Sequence, residues 1–290
     1  MPLRVSAISF LNPAPLLYNF EHEPERTRLR ERYDVHYTSP SICAAELNSG
    51  VADLGLIPIA SLTPELAIVP GCTIASMDEV RSILLLVKNP SHASIHDALS
   101  SVGNVAADTA SRSSVAYARI LFQHFHHTCP AFIEHPADPI SMLASADAAL
   151  LIGDPALLAR DRRAAIDAAI GTPLLWLDLA HLWRERTRLP WVAAVWAVRP
   201  KTLTPAGLTQ AQLITDLISS RNAGLAHTEE LVAEWAPRLP IGPSTIRNYL
   251  TRNIHYTLDA DCLKAIALFR TLATSIGALP PLPTLNLLSA

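Results

Sequence analysis

The sequence has little glycine, few cysteines and no excess of positive charge, and each shortage excludes a class of protein. Only 10 of the 290 residues are glycine, and no GxGxxG, Walker A, HExxH or GxSxG motif occurs, so common nucleotide, zincin and α/β-hydrolase sites lack support. The net charge of −3 comes without a block of like charges, which argues against a nucleic-acid surface. The 4 scattered cysteines form no CxxC pair, which is typical of free thiols in a reducing compartment.

Long apolar runs are also missing. No uncharged apolar stretch approaches the roughly 20 residues that span a bilayer. Asn12 and two prolines interrupt the apolar start of the chain, which is therefore unlike a signal peptide. We predict a cytoplasmic protein without a membrane segment.

Short apolar strands alternate with helical segments in the first part of the chain. This alternation predicts an α/β sheet with βαβ crossovers. One helix is expected at 41–50, with Ser41 as its N-cap and Gly50 at its end. Strands are predicted at 4–9, 34–39, 52–60 and 82–88, and a short helix at 15–21.

A second α/β series follows and gives way to helices. Strands are predicted at 103–108, 131–135, 148–153 and 191–198, with helices between them. Strand signals disappear after Pro200, and the periodicity predicts helices at roughly 209–220, 228–237, 243–252 and 259–276.

The order of these segments predicts two lobes. Residues 89–190 form their own series between two very apolar segments, 82–88 and 191–198, which we interpret as hinge strands. Lobe one then contains residues 1–88 and 199–290, and lobe two is the insertion 89–198. Two α/β lobes joined by two strands enclose a cleft, and ligands tend to bind at such interfaces.

The stretch SFLNPAPL at 9–16 is the first candidate for ligand binding. Pro13 and Pro15 remove two backbone donors, so the segment neither extends the strand nor enters a helix interior. The resulting loop exposes Asn12 near Ser9 and can present an amide to a ligand. An ordinary βα turn explains the same pattern.

Polar residues at two predicted helix starts are further candidates. Ser111, Ser113 and Ser114 follow a strand, where hydroxyls and unpaired helix N–H groups can bind an anion. Plain N-capping is the alternative. Asp154 opens a second helix after a buried strand, and it either caps that helix or faces a cleft.

Arg81 and Ser82 lie at the beginning of the apolar segment 82–88. Arg81 either pairs with Asp78 or Glu79 at the surface or faces an anionic ligand, and the sequence favours neither possibility.

Two aromatic or histidine-rich clusters favour structural roles. Trp183, Trp191 and Trp196 are more typical of a core than of a ligand platform. Consecutive histidines in HFHHTC (124–129) point apart on a helix, so no metal site is predicted. The remaining hydroxyls, amide, arginines and helix starts suit a small carboxylated molecule, without an obvious nucleophile–base pair.

Seven stretches, in order, carry a resemblance to one protein family. They are SFLNPAPL, AAELNSGVADLGLIPIASL (44–62), VRSILLLVK (80–88), SRSSVA (111–116), LIGDPAL (151–157), DLAHLWRERTRLPWVAAVW (178–196) and NYLTRNIHYTLDADCLKAIALF (248–269). Over nearly the whole chain, the sequence resembles the chorismate dehydratases of the futalosine route to menaquinone. The resemblance implies an α/β, two-lobed, type II periplasmic-binding-protein-like fold.

The resemblance also implies an activity and a set of site residues. The expected reaction is dehydration of chorismate to 3-[(1-carboxyvinyl)oxy]benzoate without a cofactor, in which the substrate's enolpyruvyl carboxylate takes the proton. The expected partner is this small dicarboxylate, with no nucleic acid, membrane or metal. The expected catalytic residues are Asn12 and Ser82, and the expected substrate-binding residues are Ser9, Arg81, Ser111, Ser113, Ser114 and Asp154.

Two alternative functions stay open. A non-catalytic carboxylate-binding protein or sensor could use the same fold. The second alternative is the sister enzyme of the pathway, a dihydroxynaphthoate synthase, whose opening carries Asp-Thr after the asparagine, whereas Pro13-Ala14 follows Asn12 here.

Overall fold

The computed structural model describes residues 1–282 and 284–289. Its strands are β1 (Leu3–Ile8), β2 (Tyr33–Thr38), β3 (Leu54–Pro58), β4 (Ala67–Ser76), β5 (Ile83–Lys88), β6 (Asn104–Asp108), β7 (Ala131–His135), β8 (Ala148–Ile152), β9 (Leu174–Asp178), β10 (Trp191–Val198) and β11 (His255–Leu258).

The α-helices lie mostly between these strands and after β10. They are α1 (Ala14–Glu21), α2 (Glu25–Arg30), α3 (Pro40–Ser49), α4 (Ile95–Ser100), α5 (Ser113–Ile120), α6 (Pro139–Ser145), α7 (Gly153–Asp161), α8 (Arg163–Ile170), α9 (Leu179–Thr187), α10 (Gln210–Ala226), α11 (Thr228–Trp235), α12 (Pro243–Asn248) and α13 (Ala260–Ser275). Two π-helical turns, Leu121–Phe125 and Tyr249–Asn253, continue α5 and α12.

The strands form two mixed sheets. The first has the order β11-β4-β10-β3-β1-β2 and the second has the order β7-β6-β8-β5-β9. In each sheet the predicted βαβ units pair in parallel, β1 with β2 and β3, and β6 with β7 and β8. The remaining strands join antiparallel, so the α/β class is confirmed for both sheets.

Sheet membership of the two hinge strands differs from the expected lobe boundaries. β5 pairs with β8 and β9 in the second sheet, and β10 pairs with β3 and β4 in the first. The chain therefore leaves the first sheet after β4, through residues 77–82, and returns through residues 179–190. An apolar run shows that a strand is buried, but it does not show which sheet supplies its partners.

Three strands were not predicted. β4 contains Pro70 and Gly71, which break a strand pattern, and the ladder to β10 accommodates them with register shifts. β9 lies in a stretch for which the sequence predicted no strand. β11 has only four residues, so the prediction that no strand follows Pro200 is wrong.

Helix α3 begins earlier than expected. The Ser39 side chain, and not that of Ser41, accepts the backbone N–H of Ile42, and Pro40 occupies the first helical turn. Gly50 ends the helix in the left-handed conformation, as predicted, with φ of 81°.

The main apolar core is continuous through both sheets. On β5, Leu85 and Val87 join this core, whereas Leu84 and Leu86 face a second, smaller core. Because successive residues of a strand face opposite sides, both faces of β5 are buried. Trp183, Trp191 and Trp196 are fully buried, so their core interpretation is confirmed. Within the described residues, no helix is long and apolar enough to cross a bilayer.

Candidate active site

A small cavity of about 50 Å³ lies where loops of the two sheets meet. It is lined by residues from the Asn12 loop, the end of β3, the start of β5, the turn before α5 and the start of α7. The lining includes five of the eight expected site residues, namely Asn12, Ser82, Ser111, Ser113 and Ser114. Segments far apart in the sequence are therefore brought together at one point.

Asn12 lies in a turn directly before α1. Pro13 is the residue before that helix, and Pro15 lies in its first turn, where a missing N–H costs no hydrogen bond. The two prolines thus start a helix that leaves Asn12 in the loop. The Asn12 Oδ1 atom is buried and has no hydrogen-bond partner among the described residues. Buried polar atoms are rarely left this way, so the amide is available to a ligand.

Ser82 is buried against a residue that the sequence analysis missed. The Tyr249 hydroxyl donates a hydrogen bond of 2.7 Å to Ser82 Oγ. Burial raises the pKa of Tyr249 above its usual range, against the opposing hydrogen bond with Ser82. The phenol therefore stays protonated at physiological pH, and Tyr249 joins the chain after α12 to Ser82.

Tyr249 begins the π-helical turn Tyr249–Asn253. Such turns occur frequently at functional sites. The sequence offered a weak signal only, because Ile246, Tyr249 and Leu250 are all buried and have the spacing of a core-facing helix surface.

The three serines near the start of α5 have different surroundings. Ser113 Oγ donates to Ala193 O and accepts from Ala60 N, both at 3.2 Å, and both partners belong to the first sheet's side. Ser111 Oγ is buried without a hydrogen-bond partner among the described residues. Ser114 is buried and lines the cavity.

Asp154 makes a second contact between the two sides. Its Oδ1 accepts the backbone N–H of Leu11 at 3.0 Å, next to Asn12. Burial raises the pKa of Asp154 to about 6, although the Leu11 hydrogen bond acts in the opposite direction. Beside it, Gly153 has a positive φ of 60°, and a Cβ atom there would clash with the Phe10 ring. This close approach requires glycine.

Ser9 and Arg81 do not line the cavity. Ser9 Oγ donates to Thr38 O at 3.2 Å, and Ser9 faces a separate surface groove of about 850 Å³. Arg81 has a positive φ of 67°, and its backbone N–H donates to Asp178 at 2.7 Å. The backbone at Arg81 is thus held by Asp178, and the guanidinium makes no ion pair with Asp78 or Glu79 in the described structure.

The cavity is too small for the expected substrate in this conformation. Its volume of about 50 Å³ is far below the roughly 300–1,000 Å³ of typical small-molecule pockets. The contacts of Ser113 and Asp154 close the two sides over the cavity. Substrate entry therefore requires these contacts to open.

Candidate metal ligands lie outside the cavity. Among the described residues, two groups come close enough to hold an ion, one containing His22 with Glu230 and Glu234, the other containing His255, Asp259 and Cys262. The first joins α1 to α11 and the second surrounds the start of α13. In the histidine-rich segment, His126 faces Arg186 at 3.0 Å.

Comparison with known proteins places this geometry in context. Residues 3–275 match the family described as menaquinone biosynthesis. The chorismate dehydratase of Thermus thermophilus is 31% identical over 202 residues, which cover 67% of this chain and 68% of that protein.

Solved structures share the fold. A protein of Archaeoglobus fulgidus superposes with a TM-score of 0.70 at 15% identity, covering 96% of this chain and 98% of that one. A Candida albicans protein described as having the generic periplasmic binding protein fold superposes with a TM-score of 0.61 at 12% identity, covering 97% and 92%. The predicted periplasmic-binding-protein-like fold is confirmed.

Proposed function

We propose that this chain, which belongs to the menaquinone biosynthesis family, dehydrates chorismate to 3-[(1-carboxyvinyl)oxy]benzoate. A base takes the C3–H proton, the C4–O bond breaks with loss of hydroxide, and the proton and the hydroxide together balance as one molecule of water. The ring becomes aromatic, which supplies the driving force. The reaction involves no net oxidation or reduction, so it has no requirement for a redox cofactor.

The observation that supports this proposal most directly is the convergence of Asn12 and Ser82 on one small cavity, where the buried Tyr249 hydroxyl holds Ser82 in place. Ser82 Oγ accepts a hydrogen bond from the Tyr249 hydroxyl, so the hydrogen of Ser82 is free to be donated toward the cavity. The Asn12 amide offers both a donor and an unpartnered acceptor. These groups suit the departing hydroxyl, whose developing negative charge needs hydrogen-bond donors.

The cavity has no obvious base of its own. Its polar side chains in the described residues are those of Asn12, Arg112 and the serines, and none is a good proton acceptor at neutral pH. We therefore assign proton removal to the enolpyruvyl carboxylate of the substrate. An intramolecular base held in the correct geometry contributes several kcal/mol through proximity, on the order of 7–11 for ideal cases.

Ser113 and Asp154 have a second proposed role, in closing the site. Each already contacts the backbone of the opposite side, Ser113 at Ala60 and Ala193 and Asp154 at Leu11. We propose that they support substrate binding by holding the two sides together, with water excluded. Ser114, at the same helix start, is proposed to contact the substrate directly.

A cytoplasmic location accompanies this function. It is supported by the four free cysteines, three of them buried, which are typical of a reducing compartment. Fractionation of cells that express the tagged chain tests the location.

Incubation of the purified protein with chorismate tests the proposed activity. We expect a new aromatic ultraviolet absorbance and a product lighter than chorismate by one water in mass spectrometry. A parallel sample without protein controls for spontaneous decay of chorismate. Tight binding of chorismate without turnover would favour the non-catalytic binding protein, and conversion of a cyclised futalosine derivative would favour the sister enzyme.

A further inference from the structure

A larger cleft of about 640 Å³ adjoins the small cavity on its outer side. Two neighbouring residues, Ser111 and Arg112, line both spaces. They therefore lie between the two spaces. The cleft is otherwise bounded by α3, the Ala60–Thr63 segment, the end of β6, β7, α5 and the chain after α13.

Ser111 has a hydroxyl that the protein itself does not satisfy. The residue is only 7% exposed, and its Oγ has no hydrogen-bond partner among the described residues. Its neighbour Ser113, by contrast, has both a donor and an acceptor partner. A buried hydroxyl that lines a cavity without a partner indicates that a ligand completes its hydrogen bonding.

Arg112 is an exposed cation directly before α5. Its guanidinium makes no ion pair and no side-chain hydrogen bond within the described residues. The first N–H groups of α5 follow it, and they add partial positive charge at the same point. Arginine binds carboxylates through two parallel hydrogen bonds, which lysine does not match.

The other charges of the cleft leave this cation available. Arg119 lies further along α5, with its guanidinium 4.9 Å from the centre of the Phe132 ring. The Asp108 carboxylate accepts hydrogen bonds from the backbone N–H groups of Ala110 and Ile152. Glu134, on β7, is the remaining carboxylate in the cleft lining.

We propose that the Arg112 guanidinium joins Ser111 Oγ, already a candidate for substrate binding, in holding one carboxylate of a dicarboxylate ligand between the cavity and the cleft. This inference rests on the proposed function for the identity of the natural ligand. A carboxylate held there orients the rest of the molecule toward Asn12 and Ser82, which line the inner cavity. Arg112 thereby selects a charged substrate and fixes which end enters first.

Steady-state kinetics with Arg112→Gln tests the site. The KM for chorismate should rise about tenfold or more, as expected for the loss of a charge-assisted contact, while kcat changes little. The KM of Arg112→Lys should lie between those of the wild type and Arg112→Gln, because lysine retains the charge but cannot form the two parallel hydrogen bonds. Arg119→Gln is the matched control and should stay close to the wild-type KM.

Binding of benzene-1,3-dicarboxylate, measured by calorimetry, gives a readout that does not depend on turnover. Arg112→Gln should lose affinity for this probe about tenfold relative to Arg119→Gln, and Ser111→Ala should lose part of it. The corresponding monoamide should bind the wild type and Arg112→Gln with more similar affinities, because it offers one carboxylate fewer.

The outcomes separate this inference from the proposed function. Turnover by the wild type with an unchanged KM in Arg112→Gln overturns the carboxylate site and leaves the function standing. A wild type that does not convert chorismate, yet binds the probe in an Arg112-dependent way, overturns the function and leaves the site standing. Equal losses in Arg112→Gln and Arg119→Gln would show general electrostatic attraction and overturn the site.

Discussion

The polar residues at the cavity fall into two groups, a reacting group and a closing group, which use their hydrogen bonds in different ways. In the reacting group, Tyr249 donates to Ser82, and Asn12 Oδ1 has no partner among the described residues, so hydrogen-bonding capacity remains for a ligand. In the closing group, Ser113 and Asp154 are already bonded to backbone groups across the gap. A polar residue at a cleft can therefore position a ligand or hold the cleft closed, and its hydrogen-bond partners distinguish the two roles.

Asn12→Asp, in the reacting group, is expected to have the largest effect on kcat. The change preserves shape, removes the amide donor and adds a negative charge beside a dianionic substrate, so kcat should fall about 10²- to 10³-fold. Steady-state kinetics measures this fall, and circular dichroism checks that the fold is retained. Asn222→Asp, at a position on α10 away from the cavity, is the control. Near wild-type kcat would show that Asn12 takes no part in the mechanism.

Asp154→Asn tests the closing group through the pH dependence of the free energy of unfolding. The pKa of Asp154 is raised from 3.8 to about 6, so ionisation opposes folding, and stability is lost as pH rises between these values. The loss is up to about 3 kcal/mol. An asparagine oxygen can still accept the Leu11 N–H without titrating.

Urea unfolding at pH 4 and pH 7 measures this effect. Relative to wild type, Asp154→Asn should become more stable by up to about 3 kcal/mol on going from pH 4 to pH 7. Asp34→Asn, at an exposed position on β2, should show a smaller change. If the stability of Asp154→Asn relative to wild type is the same at pH 4 and pH 7, the pKa of Asp154 is not raised by folding.

Tyr249→Phe distinguishes a role of Tyr249 in positioning Ser82 from a role in core packing. It removes only the hydroxyl that donates to Ser82, and we expect kcat to fall about tenfold with little change in KM. Tyr256→Phe is a matched control, since Tyr256 is also buried and its hydroxyl has no partner in the described structure. If Tyr249 acts through Ser82, its effect should be much smaller in a Ser82→Ala background, and full additivity would contradict that role.

Ser113→Ala is expected to give the smallest change. It removes two hydrogen bonds that join α5 to the first sheet's side, each worth about 1 kcal/mol net. KM should rise about three- to tenfold while kcat is nearly unchanged, because closure and not chemistry is weakened. Ser275→Ala, at the end of α13, is the control. A fall in kcat alone would place Ser113 with the reacting residues.

Local sequence signals predicted much of the fold. Apolar runs identified β3, β5, β8 and β10 because their side chains are buried on both faces. The same runs could not identify partner strands, so the two hinge strands proved to be members of separate sheets. β4 was not predicted because Pro70 and Gly71 interrupt its strand pattern. The register shifts that accommodate them depend on pairing with the neighbouring strand β10, which the local sequence does not show.

The candidate site was predicted only in part, because some of its contacts are local in sequence and others join residues far apart in the chain. Asn12 and the serines stand at a proline-defined loop and a helix start, both of which are local features. Tyr249 meets Ser82 across 167 positions of sequence, and no local pattern encodes that meeting. The bonding of Ser113 to Ala193 is equally nonlocal, so its difference from Ser111 became visible only in the structure.

The pairing of Ser76 with Trp191 has a consequence for how this molecule can be changed. The chain departs from the first sheet and rejoins it at two residues about 5 Å apart, as partners in an antiparallel ladder are. Everything between them is topologically an enlarged hairpin loop. The whole segment can therefore be exchanged for a related one whose ends have the same spacing. Such an exchange would alter ligand recognition, while Asn12 and Tyr249 stay in the unchanged part of the protein.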